Sequence, residues 1–144
     1  MSAMDEFLSR LASPNFRSVY NGLDETWNGR AAQLNDRLAA QDLPVRVSNL
    51  SSIWMVQYTE PSRYNWILQY YLRAEGLALS WVGTGRLIFS LNYTDADFAE
   101  VAKRFVAGAA KMKQDGWWWH DAALTNKTIR RQILKEMLAH KFAR

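Results

Sequence analysis

Two pairs of strand-like segments, separated by an aromatic helical segment, occupy residues 44–98, and their order constrains the fold more than any other feature. The first pair, Val45–Asn49 and Ile53–Tyr58, is rich in β-branched and aromatic residues and is split by a turn-prone Asn-Leu-Ser-Ser sequence. The second pair, Leu77–Trp81 and Arg86–Leu91, is split by Val-Gly-Thr-Gly, whose glycines permit positive φ where the chain reverses. We therefore predict a small, mainly antiparallel sheet of about four strands.

Helical periodicity precedes, separates and follows these pairs. Apolar residues recur at three- and four-residue steps from Phe16 to Leu38, which predicts one long helix with a bend or a close contact near Gly22 and Gly29. A second helix is predicted over residues 64–75. After the last strand, Thr94 and the acids that follow it are typical of a helix N-terminus, and apolar spacing continues that helix to about residue 113.

The predicted fold class is α+β, a two-layer domain of order α-ββ-α-ββ-α with an extra C-terminal helix. We divide the chain into a helical lead-in (1–12), the domain itself (13–114), and a Trp-rich turn with a basic amphipathic helix (115–144). Strand alternation places Leu87 and Phe89 on one face of the sheet and Arg86 and Ile88 on the other.

Composition excludes several kinds of chemistry. The chain has 144 residues, no cysteine and two histidines, so we expect no disulfide, no cysteine nucleophile and no transition-metal site. There is no apolar run of membrane-spanning length and no signal-peptide core, which favours a cytoplasmic protein. The sequence also lacks the glycine loops of nucleotide sites and the common hydrolase and zinc-protease motifs. We therefore predict no catalytic residue, no cofactor-binding residue and no metal ligand in this chain.

The excess positive charge lies entirely in the last third of the chain. Residues 1–102 hold 8 basic and 11 acidic side chains, whereas residues 103–144 hold 10 basic and 3 acidic ones. Such a segment either attracts an anionic partner or is the solvated face of terminal helices.

The tail contains three consecutive tryptophans, Trp117, Trp118 and Trp119, which cannot all point inward. The helix that follows carries Ile133 and Met137 on one stripe, with leucines and Phe142 on the next. Exposed apolar clusters usually mark interfaces. We therefore expect these five residues (the tryptophans, Ile133 and Met137) to form an interface with another copy or with a further domain, so that the isolated chain forms a homo-oligomer, simplest as a dimer.

The order of these segments resembles the C-terminal small domain of class III, fold-type I pyridoxal-phosphate (PLP) enzymes, over about residues 13–112. The nearest branch is similar to the glutamate-1-semialdehyde aminomutase group, whose closing pattern this sequence matches at Gly76, Leu79, Ser80, Gly85, Arg86, Ser90, Thr94, Asp95, Asp97 and Phe98. The tail from Trp117 onward lies beyond the resemblance.

The resemblance implies a domain that forms part of an active-site wall and a subunit interface in a PLP-dependent aminotransferase or aminomutase. In that family the Schiff-base lysine belongs to a large domain, which a chain of this length cannot contain. The parent would be the enzyme, while this chain alone would bind no PLP and be inactive. The opening Met-Ser-Ala-Met is typical of an expressed piece of a longer protein.

Relatives of the ornithine-aminotransferase type use an arginine on the strand equivalent to Leu87–Leu91 to hold a substrate carboxylate. Ile88 occupies the aligned position here, and Arg86, two residues earlier on the same face, is a substitute candidate for substrate binding. The alternative is a stand-alone binding module that engages nucleic acid or an anionic membrane surface through the tail. With the family interpretation we expect neither a membrane nor nucleic acid as partner.

Overall fold

The computed structural model describes residues 2–78 and 85–142 and has the predicted α+β architecture, in which helices pack on a three-stranded antiparallel sheet of order β1-β2-β3. The strands are β1 (Val45–Leu50), β2 (Ile53–Tyr58) and β3 (Arg86–Ile88). The helices are α1 (Ala3–Leu11), α2 (Pro14–Asn21), α3 (Leu23–Ala39), α4 (Leu68–Ala74), α5 (Asp95–Gln114) and α6 (Asn126–Phe142), with a 3-10 turn at Asn65–Ile67 before α4.

The described part of the chain has three strands where the sequence predicted about four. The fourth predicted strand, Leu77–Trp81, can be compared only in part, because residues 79–84 lie outside the described ranges. Leu77 and Ala78 are not in a strand. β3 ends at Ile88, and the backbone N–H of Phe89 still donates to Ser52 O at 3.0 Å, which extends the pairing with the β1–β2 turn by one bond.

The single long helix predicted before the sheet is wrong, because the chain breaks at Gly22 into α2 and α3. Glycine is a poor helix former and allows the interruption at low cost. The consequence is a change of burial: Trp27 and Leu34 of α3 enter the core, whereas Phe16 and Tyr20 of α2 remain exposed. A bend or a close contact was expected near Gly22 and Gly29, but the loss of the common apolar stripe was not.

An aromatic cluster forms the centre of the core between the sheet and helices α3 and α5. Trp54 of β2 is completely buried, and its ring lies 6.1 Å from Trp27, 5.1 Å from Phe89 and 5.4 Å from Phe98, measured between centroids. Phe89 stacks on Trp27 at 5.2 Å. Edge-to-face and offset contacts of this kind are the favoured arrangements of aromatic rings. The four rings join α3, β2, the segment after β3 and α5 into one unit.

Arg30 connects α3 to the start of α5. Its guanidinium is buried between the rings of Trp27 (4.6 Å) and Phe98 (5.5 Å), and its Nη2 donates to Tyr93 O at 3.0 Å and to Asp95 Oδ1 at 2.8 Å. Because a buried cation is costly unless it is paired, these contacts explain how an arginine is accommodated here.

Helix α5 begins at a capping box. The hydroxyl of Thr94 accepts from the backbone N–H of Asp97 at 3.2 Å, and the carboxylate of Asp97 accepts from the backbone N–H of Thr94 at 2.9 Å. These two bonds satisfy orphan donors of the helix start and confirm the helix boundary predicted from the sequence.

The outer edge of β1 is closed by a side chain. Asn35 of α3 donates from Nδ2 to Val47 O at 2.9 Å and accepts from the Val47 N–H at 2.8 Å. The amide therefore occupies the positions that a neighbouring strand would use, so this edge is protected from further strand pairing.

Candidate functional site

Among residues 2–78 and 85–142, nothing covers the sheet face that points away from the helices, and this face is partly apolar. Register places Leu50 opposite Ile53, and Ile53 opposite Ile88, so one row of three aliphatic side chains crosses all three strands. Leu50 is 78% exposed and Ile88 is 71% exposed. An antiparallel sheet that faces water usually presents polar side chains, so an exposed aliphatic row marks a candidate interaction surface. We call Leu50, Ile53, Met55 and Ile88 the apolar sheet patch.

Arg86 lies at the border of the apolar sheet patch. Arg86 lies opposite Met55 in the register, two residues along the strand from the pair formed by Ile53 and Ile88. Its side chain is exposed on the same face as Ile88, as strand alternation predicted, while Leu87 between them is buried. In the described part of the chain Arg86 forms no ion pair and donates no hydrogen bond. A free guanidinium beside aliphatic groups suits a ligand that has a carboxylate and an apolar body.

A polar pair lies on the same outer face, beyond the pair formed by Met55 and Arg86. Arg46 Nε donates to Gln57 Oε1 at 3.0 Å across the β1–β2 pair. The outer face thus changes from aliphatic near the β1–β2 turn to polar near the strand ends at Tyr58.

The three tail tryptophans have different environments. Trp118 packs against the core, lies 6.2 Å from the ring of Tyr58, and donates its indole N–H to Ala109 O at 2.9 Å. Trp117 and Trp119 flank Tyr64 at 5.5 and 6.1 Å and are 41% and 45% exposed. Trp118 therefore fixes the turn to the domain, and the other two tryptophans provide exposed apolar area.

Helix α6 contacts the domain along one side only. Ile129 is its one buried residue, and Glu136 accepts two hydrogen bonds from Arg63, at 2.8 and 3.1 Å. The bonds from Arg63 hold the pKa of Glu136 below its usual value. Ile133 and Met137, both predicted as interface residues, are exposed, Met137 at 65%.

Two tyrosines have raised pKa values with structural causes. Burial raises the pKa of Tyr58 to about 12, and the hydrogen bond from the Tyr71 hydroxyl to Asp115 Oδ2 raises that of Tyr71 to about 12. A tyrosine is protonated at physiological pH even at its usual pKa, and these shifts extend the protonated range of both phenols to higher pH. Among the described residues no group of acids and histidines is arranged to hold a metal ion, and none of the helices combines the length and apolar character needed to cross a bilayer.

Arg86 and Ile88 were singled out from the sequence, whereas Leu50, Ile53 and Met55 of the apolar sheet patch were not. All three lie in the first strand pair, Leu50 in β1 and the other two in β2. In β2, Ile53 and Met55 alternate with the buried Trp54 and Val56, and this alternation could have predicted their exposure. Without the register, it was not evident that they meet Ile88.

Two solved transaminases share this fold. A chain described as a transaminase with PLP bound matches 74% of the present chain at 18% identity, with a TM-score of 0.59, and 26% of that chain is covered. A β-phenylalanine aminotransferase from Variovorax paradoxus matches 70% at 21% identity, with a TM-score of 0.51, and 25% of it is covered. No protein-family model matches the sequence, and no curated protein matches it significantly.

These similarities establish a common fold, and they cover only part of each relative. The present chain spans about a quarter of the length of the two transaminase chains.

Proposed function

We propose that this chain is the C-terminal small domain of a PLP-dependent aminotransferase or aminomutase, of the glutamate-1-semialdehyde aminomutase type. Two independent findings support the proposal. The order of the motifs between Gly76 and Phe98 resembles that family, and the fold matches about a quarter of two transaminase chains. In this role the domain forms a wall of the active site and part of the subunit interface, without supplying the catalytic lysine.

The apolar sheet patch is the observation that carries the proposal. A small domain needs one surface that docks on a larger body, and that surface should be apolar but lie outside its own core. The patch meets this description because its four side chains are exposed in the isolated domain although they belong to regular strands. The large domain of the parent is the occupant we propose for it.

The lysines of this chain do not suit a Schiff base with PLP. All six are exposed on helices: Lys103, Lys111, Lys113, Lys127, Lys135 and Lys141. Lys113 donates to Gln41 O, Asp42 O and Asp42 Oδ2, so its Nζ is already occupied by three acceptors. A lysine nucleophile instead needs a desolvated amine with a lowered pKa. We therefore propose that the cofactor is held by another part of the parent.

Arg86 would contribute to substrate recognition. Facing the large domain, its guanidinium would hold a substrate carboxylate, and Met55 with Ile88 would contact an apolar substrate body. Since Ile88 replaces the arginine found at the aligned position in ornithine-aminotransferase relatives, this arrangement shifts the positive charge by two residues along the strand.

Photo-crosslinking tests the docking surface. With Ile88→benzoylphenylalanine introduced in the cells from which the protein comes, ultraviolet light should link residue 88 to a segment outside residues 1–144. After borohydride reduction, the polypeptide that contains this segment should carry pyridoxyl-lysine. The matched control is Lys111→benzoylphenylalanine, which is exposed on α5 and remote from the patch. Equal, background-level linkage from both positions would refute the proposal.

A further inference from the structure

A cavity lies where the tail packs on the domain, between the segment that precedes α4 and the first half of α6. Its volume is about 280 Å³. Two lining residues each come from the segment after β2, from the Trp-rich turn and from α6: Arg63, Tyr64, Trp119, Leu124, Ile129 and Gln132. The cavity therefore depends on the tail, which lies beyond the family resemblance.

The lining of this tail cavity is graded in burial and in chemistry. Ile129 is the buried residue of α6, Leu124 and Tyr64 are half-buried, and Trp119 is 45% exposed. The cavity thus runs from an aliphatic floor to an aromatic rim, and Gln132 adds an amide that can both donate and accept a hydrogen bond. An apolar lining with few polar groups is typical of small-molecule sites.

The charge beside the tail cavity is already balanced. Among the described residues that line it, Arg63 is the one charged group. Its Nη1 and Nη2 donate to the two carboxylate oxygens of Glu136 at 3.1 and 2.8 Å, a bidentate ion pair. A charged ligand of either sign would have to compete with a partner that is already in place. The cavity therefore suits a neutral ligand.

The two aromatic side chains of the lining are set for a third ring. The planes of Tyr64 and Trp119 meet at 76°, with 6.1 Å between centroids. A ring that stacks on one of them is therefore nearly perpendicular to the other, so it makes an offset-stacked and an edge-to-face contact at once, the two arrangements that aromatic pairs favour.

The volume limits the size of such a ligand. An apolar cavity of about 150 Å³ holds one benzene ring, so the tail cavity has room for two fused rings but not for a larger ring system.

We propose that the tail cavity binds a small, neutral aromatic group of two fused rings, with Gln132 bonding to a single polar N–H or O–H of the ligand. A free compound of this kind and a tryptophan side chain of a peptide present the same chemistry. The tail cavity shares no residue with the apolar sheet patch, so this inference and the proposed aminotransferase role can fail independently.

A nuclear magnetic resonance titration of the full chain with indole tests the inference. The backbone amides of Leu124 and Gln132 should show saturable shifts with a Kd of about 1 mM or below, as expected for a ligand of this size. Cyclooctanol, an aliphatic ring of equal heavy-atom count with one hydroxyl, should bind at least about fivefold more weakly, because it lacks the ring contacts. Indole-3-acetate and tryptamine, its charged analogues, should bind no more tightly than indole.

N-Acetyltryptophanamide distinguishes the two sources of the aromatic group. Tighter binding of this amide than of indole would support a peptide side chain as the natural ligand. Tighter binding of indole would support a free compound.

Substitutions at Trp119 separate aromatic recognition from loss of apolar area. Trp119→Leu should lower the affinity for indole roughly tenfold, whereas Trp119→Phe, which keeps a ring, should stay within about threefold of the unchanged chain. The matched control is Trp117→Leu: Trp117 also flanks Tyr64 and is 41% exposed, but it is not among the described residues that line the cavity. Its effect should stay within about twofold. Circular dichroism verifies that each variant is folded.

Four results would overturn the proposal. They are the absence of saturable shifts with indole, binding of cyclooctanol as tight as that of indole, binding of a charged analogue more than about tenfold tighter than that of indole, and equal effects of the Trp117 and Trp119 leucine variants.

Discussion

Replacing Phe89 by alanine tests the aromatic core most severely. The Phe89 ring is 8% exposed and lies within 5.5 Å, between centroids, of the rings of Trp27, Trp54 and Tyr93. These neighbours belong to different elements and cannot all move inward, so most of the vacated volume should remain as a cavity. We expect a loss of about 3–5 kcal/mol in the free energy of unfolding, the usual range for a buried phenylalanine.

Urea titration at 25 °C, followed by tryptophan fluorescence and circular dichroism, measures this loss. Ile88→Ala is the matched control, because Ile88 is the adjacent residue but points away from the core; its cost should stay below about 1 kcal/mol. Phe89→Leu should give an intermediate loss, which keeps the test informative if the alanine variant does not fold. A loss below about 1 kcal/mol for Phe89→Ala, or one equal to that of Ile88→Ala, would show that the face assignment is wrong.

Three further predictions concern the polar contacts. Asn35→Ala should lower the free energy of unfolding by about 1–3 kcal/mol in urea titration, because it leaves the N–H and C=O of Val47 without partners. The control Asn28→Ala, which removes an exposed contact with Asn49, should lower it by under about 0.5 kcal/mol. Arg30→Met should lower the unfolding free energy by about 1–3 kcal/mol through the lost bonds to Tyr93 O and Asp95, and an unchanged urea midpoint would contradict this. Hydrogen bonds from Thr94 hold the pKa of Asp97 below its usual value. The cap should therefore contribute stability above the pKa of the unfolded state and lose it as the pH falls through the lower pKa of the folded state. Asp97→Asn should make the urea midpoint less dependent on pH below about 4, and a pH dependence identical to that of the unchanged chain would refute the prediction.

The sequence predicted the parts of the fold that depend on local patterns. Alternation placed Leu87 and Phe89 on one face and Ile88 on the other, and the structure shows that the first face is the core. The capping residues located the start of α5. Gly76 follows the helix predicted over residues 64–75, and it has φ of +85° two residues after the end of α4, a conformation that glycine adopts without strain.

Features that depend on packing between distant segments could not be read from the sequence. Periodicity through residues 16–38 was continuous, yet Gly22 divides the helix because α2 and α3 contact different surroundings. The apolar sheet patch depends on a register that joins Leu50, Ile53 and Ile88, which no local pattern encodes. The division of the tryptophans also needed the structure, because only the bond to Ala109 O shows which one turns inward.

The most direct test of the central claim is the size and cofactor content of the native protein. An antibody against α6 would recover it from its source cells, and borohydride reduction followed by mass spectrometry would locate any pyridoxyl-lysine. We predict a polypeptide several times larger than 16.7 kDa, or a stable complex of that size, with one modified lysine outside residues 1–144. Recovery of a 16.7 kDa chain with no PLP-bearing polypeptide attached would contradict the assignment of this chain as an aminotransferase small domain.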